Sequence, residues 1–156
     1  MHVISLTVEN RFGMLARIAG LFSARGYNIN SLVVAPTEDQ TKSRLILTVS
    51  GDERIIEQIT KQLNKLIGVI KVTDFFHKDI LERELLLAKI PNDTRKRSEI
   101  LQVLKLFQGK VVLITRRYLT VELIGKTSKI DEFIKTLKPY GIKEMVRTGK
   151  VALSRE

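Results

Sequence analysis

Apolar residues recur at every second position in four segments of the first half of the chain, as Ile4, Leu6 and Val8 do. This period is typical of a β-strand with one buried face, and it predicts strands over residues 2–9, 28–36, 42–50 and 69–76. Two segments between these strands place apolar residues three and four positions apart, which predicts amphipathic helices. The first helix ends near Gly26, and the second begins after Asp52, whose side chain suits a helix N-terminus. The predicted order is βαββαβ.

The second half of the chain repeats this order. Its pattern predicts strands over residues 84–90, 110–117, 119–126 and 142–148, and helices over residues 94–107 and after Thr127 or Ser128. We therefore predict an α+β protein made of two consecutive ferredoxin-like βαββαβ sandwiches, each with two helices on one face of an antiparallel sheet. The predicted domains are residues 1–76 and 84–156, and the charged residues 77–83 link them.

Each predicted sandwich leaves one face of its sheet without helices. That face also carries apolar residues, namely Val3, Ile46, Ile114 and Ile124. Domains of about 75 residues have small cores, so exposed apolar area is costly for them. We expect oligomerisation or packing between the two halves to cover these faces.

Composition excludes several classes of protein. Of the 156 residues 44% are hydrophobic, which supports a packed core, and the absence of cysteine excludes disulfides and thiolate metal sites. The two histidines, His2 and His77, are too few for a histidine metal cluster, so no metal site is predicted. No apolar run reaches the 18 to 20 residues that span a bilayer, and no signal sequence precedes the first strand. These features predict a cytoplasmic protein that does not associate with membranes.

The net charge of +10 raises the question of nucleic-acid binding. Residues 1–76 hold 9 Lys and Arg against 7 Asp and Glu, whereas residues 77–156 hold 18 against 10. The cations of the second half are scattered, apart from Arg95-Lys96-Arg97 and Arg116-Arg117, and few aromatic residues lie among them for base stacking. We favour a solvated surface or an acidic protein partner over nucleic acid.

Candidate chemistry is concentrated between residues 9 and 31. The first strand runs into an Asn10-x-x-Gly13 turn that opens the first helix, and Gly26-Tyr27-Asn28 opens the second strand. The unpaired N–H groups and partial positive charge of a helix N-terminus favour a carboxylate. The two asparagines add amide donors and carbonyl acceptors but no nucleophile, metal ligand or titrating base. This set can hold a free amino acid without transforming it, which indicates a sensor and no catalytic residue.

The same residues also have purely structural interpretations. Asn10 can serve as a helix cap, and Gly13 and Gly26 can serve as turn residues. Leu15 and Ile29 fit the hydrophobic core, so a ligand would meet only their edges.

The sequence resembles the small regulatory subunit of acetolactate synthase, also called acetohydroxyacid synthase, a family with an ACT domain at its N-terminus. The resemblance covers essentially the whole chain and is most specific over residues 26–37. The matching motifs are Glu9-Asn10, Gly13-Met14-Leu15-Ala16-Arg17, Gly20-Leu21-Phe22-Ser23, Arg25-Gly26-Tyr27-Asn28-Ile29, Ser31-Leu32-Val33-Val34-Ala35-Pro36-Thr37, Ser43-Arg44, Glu82-Arg83-Glu84-Leu85 and Leu153-Ser154-Arg155.

This resemblance implies a protein that is not an enzyme by itself. It implies binding to the large catalytic subunit of acetolactate synthase, activation of that subunit, and feedback inhibition by valine in branched-chain amino acid biosynthesis. Thiamine diphosphate, Mg²⁺ and FAD would belong to the catalytic partner, with no cofactor in this chain. The alternative is an ACT-type amino-acid-responsive regulator that acts on nucleic acid or on another protein.

The resemblance also implies a homodimer formed through the ACT domains, with valine bound where two protomers meet. One protomer would supply Asn10, Gly13, Met14 and Leu15, and the other would supply Asn28 and Ile29. Whether leucine or isoleucine also acts as an effector stays open.

Overall fold

The alternating and helical segments fold into two successive α/β sandwiches in the computed structural model, which describes residues 1–156. The chain divides into two units, one made of Met1–Leu81 with Lys150–Glu156, the other of Glu82–Gly149. The first unit contains β1 (His2–Glu9), α1 (Met14–Ala24), β2 (Ile29–Pro36), β3 (Lys42–Val49), α2 (Glu53–Asn64) and β4 (Val69–Asp74). The second unit holds α3 (Arg97–Phe107), β6 (Lys110–Ile114), β7 (Tyr118–Gly125), α4 (Thr127–Leu137) and β8 (Glu144–Arg147), and β5 (Ile80–Pro91) leads into it.

The first sheet has the strand order β2-β3-β1-β4, and all neighbouring strands are antiparallel. The apolar residues of β1 and β3 on one face pack against α1 and α2 to form the core. Asp52 begins α2 as predicted, since its Oδ1 accepts a hydrogen bond of 2.9 Å from the N–H of Ile55. The helices therefore cover one face of the sheet.

Part of the opposite face of this sheet is covered by residues near the end of the chain. Val3, Ile46 and Phe75 form a second, smaller cluster with Ala152, and Ile80 packs against it. Ala152 lies in β9 (Val151–Ser154), a strand that the sequence pattern did not predict. β9 pairs with β5, whose first two residues belong to the same unit. Val3 and Ile46 are thus buried within this unit, without a second copy of the chain.

The second sheet has the order β6-β7-β5-β8, the same permutation as the first, and β9 adds a fifth strand. Its core contains Phe133, whose ring meets that of Phe107 edge-on at 5.2 Å between centroids. Ile114 and Ile124 are 64% and 55% exposed, so nothing within the chain covers them. The prediction of two ferredoxin-like sandwiches is confirmed.

Several predicted boundaries differ from the structure. β5 begins at Ile80, so the end of the predicted linker 77–83 is strand. α3 begins at Arg97 and not at residue 94, because a turn closed by the N–H of Lys96 on the carbonyl of Asp93 precedes it. Thr127 is already helical, with Lys126 before it as the cap residue and no side-chain cap. No helix of the structure is long and apolar enough to cross a membrane.

Candidate functional site

The loop between β1 and α1 is fixed by its backbone to two neighbouring loops. The N–H of Glu9 donates to the carbonyl of Gly68 at 2.8 Å, and the N–H of Asn10 donates to the carbonyl of Thr41 at 2.7 Å. Glu9 and Arg11 also form an ion pair of 3.1 Å on the surface. These contacts hold the loop in place in front of α1.

Thr41 belongs to the turn between β2 and β3, and Asp39 organises this turn. Its Oδ1 accepts hydrogen bonds from the hydroxyl of Thr41 at 2.6 Å and from the N–H of Thr41 at 3.0 Å. The hydroxyl bond is the main reason why the pKa of Asp39 lies below its ordinary value of 3.8. The ionised carboxylate of Asp39 thus stabilises this turn. The turn then binds the N–H of Asn10 through the Thr41 carbonyl.

The Asn10 side chain contacts the same turn. Its Nδ2 donates to the carbonyl of Gln40 at 2.9 Å. Asn10 does not cap α1, since no side chain caps that helix, and the interpretation of Asn10 as a helix cap is wrong. With Nδ2 bound to Gln40, Oδ1 of Asn10 remains as an exposed acceptor.

The N-terminus of α1 is open to an anion. Gly13 takes the cap position with φ of 85°, a left-handed conformation that glycine adopts readily. The first helical bond runs from the N–H of Arg17 to the carbonyl of Gly13, which leaves the N–H groups of Leu15 and Ala16 without acceptors in the chain. The first turn contains no acidic residue, and a Cβ on Gly13 would meet no atom within 4 Å.

Met14 and Leu15 face different surroundings. The Met14 side chain is buried in the core, and its Sδ lies only 2.6 Å from where a Cβ on Gly68 would stand. Met14 can therefore offer a ligand its backbone but not its side chain. Leu15 is 43% exposed on the first turn of α1 and can meet an apolar group.

Asn28 and Ile29 lie at the other end of the sheet. Ile29 pairs with Val49, and Val49 pairs with His2 at the start of β1, whereas Glu9 pairs with Lys42. Lys42 and Val49 are seven positions apart on β3, which is about 23 Å at the usual rise of a strand. One chain therefore does not bring Asn10 and Asn28 together. The Asn28 side chain is exposed and makes no hydrogen bond within the chain, while Ile29 packs partly into the core.

Four residues around this loop were not predicted as site residues. Gln40 and Thr41 supply the carbonyls that hold Asn10, and the Asp-x-Thr spacing of Asp39 and Thr41 is the signal that could have indicated their role. Phe12 is fully exposed at the tip of the loop, an unusual place for a large aromatic side chain.

This arrangement offers donors for a carboxylate beside an acceptor for an ammonium group. It contains no pair of groups arranged for proton transfer or nucleophilic attack. The structure also contains no group of three or more His, Cys, Asp or Glu side chains that could hold a metal ion. The fold and the loop thus define a domain of the ferredoxin-like class with a candidate site for a small zwitterion.

Comparison with known proteins identifies the family. Residues 4–71 match the model of the ACT domain of acetohydroxyacid synthase small subunits, and residues 83–156 match the model of the small subunit of acetolactate synthase. The chain is 44% identical over 154 residues to the probable acetolactate synthase small subunit of Archaeoglobus fulgidus, covering 99% of this chain and 96% of that one. It is 46% identical over 156 residues to the acetolactate synthase small subunit of Aquifex aeolicus, covering 99% and 81%.

A solved structure agrees with these relatives. The crystal structure of the acetolactate synthase small subunit from Thermotoga maritima superposes with a TM-score of 0.91 at 38% identity, covering 99% of this chain and 97% of that one. The chain belongs to the family of acetolactate synthase small subunits.

Proposed function

We propose that this chain activates the large catalytic subunit of acetolactate synthase and makes it sensitive to feedback inhibition by valine. The observation that carries the proposal is the uncapped N-terminus of α1 beside the free Oδ1 of Asn10. In this proposal the protein acts in the cytoplasm on branched-chain amino acid biosynthesis. Thiamine diphosphate, Mg²⁺ and FAD belong to the catalytic partner.

The effector's two charged groups match the two polar parts of the loop. Its carboxylate accepts hydrogen bonds from the N–H groups of Leu15 and Ala16 beyond Gly13, and its ammonium group donates to Oδ1 of Asn10. Each hydrogen bond to a charged group contributes about 1.5 to 3 kcal/mol, and burial of an isopropyl group contributes about 1.5 to 3 kcal/mol. These contributions suffice for a binding free energy of roughly 4 to 8 kcal/mol, which corresponds to dissociation constants between millimolar and micromolar.

A second copy of the chain completes the site. β2 is an edge strand, so its outer N–H and C=O groups have no partner strand, and Val34 on it is 45% exposed. A two-fold axis through this edge pairs β2 with its copy in antiparallel fashion, which carries Asn28 and Ile29 of the copy to the Pro36 end of β2. The β2 strand of the copy then lies three strand spacings, about 14 Å, from β1 of the first chain. Two asparagine side chains and a small amino acid between them can span this distance.

Valine can change the activity of the catalytic subunit if it binds two states of the protein with different affinity. If valine stabilises one arrangement of the paired domains and the catalytic subunit prefers the other, valine lowers activity. By linkage the catalytic subunit must then weaken valine binding by the same factor. One methylene changes binding by only about 1 to 3 kcal/mol, so leucine and isoleucine compete to a measurable extent.

Calorimetric titration of the full-length chain with valine tests the effector site. We expect saturable heat for the wild type and none for Gly13→Asp, because the new carboxylate occupies the place of the effector's carboxylate. Gly20→Asp is the matched control, since Gly20 lies exposed on the same helix with open space around it. Absence of heat and of thermal stabilisation for the wild type at millimolar valine would overturn the proposal.

The regulatory role requires the second subunit. We expect the chain to co-purify with the catalytic subunit and to raise its rate of acetolactate formation, and valine to remove this increase. The Gly13→Asp variant is expected to keep the activation and lose the valine response. A catalytic subunit that neither binds the chain nor changes in rate would contradict the proposed role.

A further inference from the structure

Two cations flank a threonine in a row across three strands, on the face of the first sheet that lies away from α1 and α2. Arg44 on β3 pairs with Thr7 on β1, and Thr7 pairs with Lys71 on β4. Side chains of directly paired residues point to the same face, so Arg44 and Lys71 flank the Thr7 hydroxyl. Leu6 and Val8, the neighbours of Thr7, point into the core on the other face.

The next row along the strands is uncharged, with Ile46 on β3, Ser5 on β1 and Thr73 on β4. The hydroxyls of Ser5 and Thr73 therefore lie beside that of Thr7. Ser5 is 7% exposed, and its hydroxyl makes no hydrogen bond within the chain. This hydroxyl is therefore available to donate a hydrogen bond to, or accept one from, water or a ligand.

These side chains surround one depression of about 260 Å³. Lys78 and the tail residues Ser154 and Glu156 complete its rim, and Phe75 forms part of its wall. All of these residues belong to the first unit. The volume is that of about nine water molecules in the liquid, which admits a phosphate group with a small organic part.

The charges around the depression are not neutralised by the protein. Arg44, Lys71 and Lys78 form no ion pair with any residue of the chain, and the single acidic side chain on the rim, that of Glu156, forms none either. Three cationic side chains against one acidic side chain leave an excess of positive side-chain charge at neutral pH. Like charges around one depression repel one another, and a bound dianion would relieve that repulsion.

We propose that this depression binds a small phosphate-type oxyanion, either inorganic phosphate or the phosphate group of a small metabolite. The guanidinium of Arg44 offers a planar pair of donors, and the lysines supply compact positive charges that need no fixed geometry. The hydroxyls of Ser5 and Thr7 donate to the remaining oxygens at the floor. The site lies on the opposite face of the sheet from the core and is independent of the valine proposal.

Calorimetry and thermal shift with inorganic phosphate test this site, at constant ionic strength made up with chloride. A small phosphomonoester, glycerol 3-phosphate, forms a second arm that distinguishes free phosphate from a metabolite. We expect saturable stabilisation by at least one of the two. The variants Arg44→Met and Lys71→Met should each lose affinity tenfold or more, because each removes a cation while keeping most of the side-chain volume.

Three further variants sharpen the result. Arg54→Met is the matched control, since Arg54 is an exposed cation without an ion pair on α2, and we expect unchanged binding. Glu156→Gln should strengthen binding by removing the competing carboxylate. Gly13→Asp should bind phosphate like the wild type, which separates this site from the effector site. Stabilisation no larger than that by chloride, or equal losses in the Arg54 and Arg44 variants, would overturn the proposal.

Discussion

Asn28 is a residue that can be tested for a role in ligand binding without disturbing the fold. Its side chain is exposed and makes no hydrogen bond within the chain, so the folded state does not depend on it. For Asn28→Ala we expect an unchanged melting temperature and valine affinity reduced about tenfold to hundredfold, the loss of one hydrogen bond to a charged group. Calorimetry and a thermal scan on the same sample measure both. Unchanged valine affinity would show that Asn28 does not contact the effector.

Asp39 makes the site sensitive to acid. Its pKa is lowered in the folded state, chiefly by the Thr41 hydroxyl, so its contribution to stability is present above the ordinary value of 3.8 and is lost as the pH falls through the lower folded value. We expect the turn at residues 37–41 to loosen in that range and the backbone bond between Asn10 and Thr41 to open with it. Amide exchange at Asn10, followed as the pH is lowered, measures this opening after correction for intrinsic rates.

The matched variant for this prediction is Asp39→Asn. It keeps the shape of the side chain but has no carboxylate to titrate, so the exposure of the Asn10 amide should no longer change with acid. The same acid-dependent opening in the variant would mean that another group controls the turn.

The second sheet and α4 are joined by a partly buried cluster of charges. Arg147 on β8 donates through Nη2 to Oε2 of Glu84 at 3.2 Å and to Oδ1 of Asp131 on α4 at 2.9 Å, and its Nε also donates to Glu84. Glu84 is only 3% exposed, and the hydrogen bond to it is the main reason why the pKa of Arg147 is raised. Arg147 therefore joins the edge strand β8 to β5 through Glu84 and to α4 through Asp131.

Removing Arg147 leaves the Glu84 carboxylate buried without its partner. We expect Arg147→Met to destabilise the second unit by about 3 to 5 kcal/mol, and Arg147→Met with Glu84→Gln to recover part of this loss. Hydrogen exchange of the β8 amides, read as opening free energy, reports on this unit. The control on the same two strands is Glu144→Gln, which breaks the exposed pair of Lys89 and Glu144 and should change the exchange little. If Arg147→Met and Glu144→Gln changed the exchange of the β8 amides equally, this account of the charge cluster would be contradicted.

At the level of the elements, the sequence predicted most of what local patterns determine. β1 matches its predicted bounds, and the Asp52 cap is confirmed, because a strand's alternation and a cap's hydrogen bond depend on neighbouring residues. The start of α3 was wrong because Asp93 and Thr94 resemble a helix start, yet Oδ1 of Asp93 accepts from the N–H of Arg95 inside a turn. Thr127 was also wrong as a cap, since its hydroxyl has no partner.

Over the whole molecule, contacts distant in sequence account for what could not be predicted. β9 has four residues, of which only Ala152 is buried, so its pattern carries no period. Its place on the face with Val3 and Ile46 depends on residues that are more than 100 positions away in the sequence. Asn10, Gly13 and Asn28 indicate in the sequence the chemistry that we propose for the site, but they do not give its geometry. Predicting the geometry requires the strand register, which puts the two asparagines at opposite ends of one sheet.

The central claim is that the effector site is shared between two copies of the chain. It is tested most directly in a heterodimer of a Gly13→Asp chain and an Asn28→Ala chain, obtained by co-expression with two different affinity tags and sequential purification. Each parent homodimer should bind valine weakly or not at all. The heterodimer combines the intact Gly13 of one chain with the intact Asn28 of the other, so it should recover wild-type affinity in about half of its sites. A heterodimer that binds valine no better than its parents would contradict the claim.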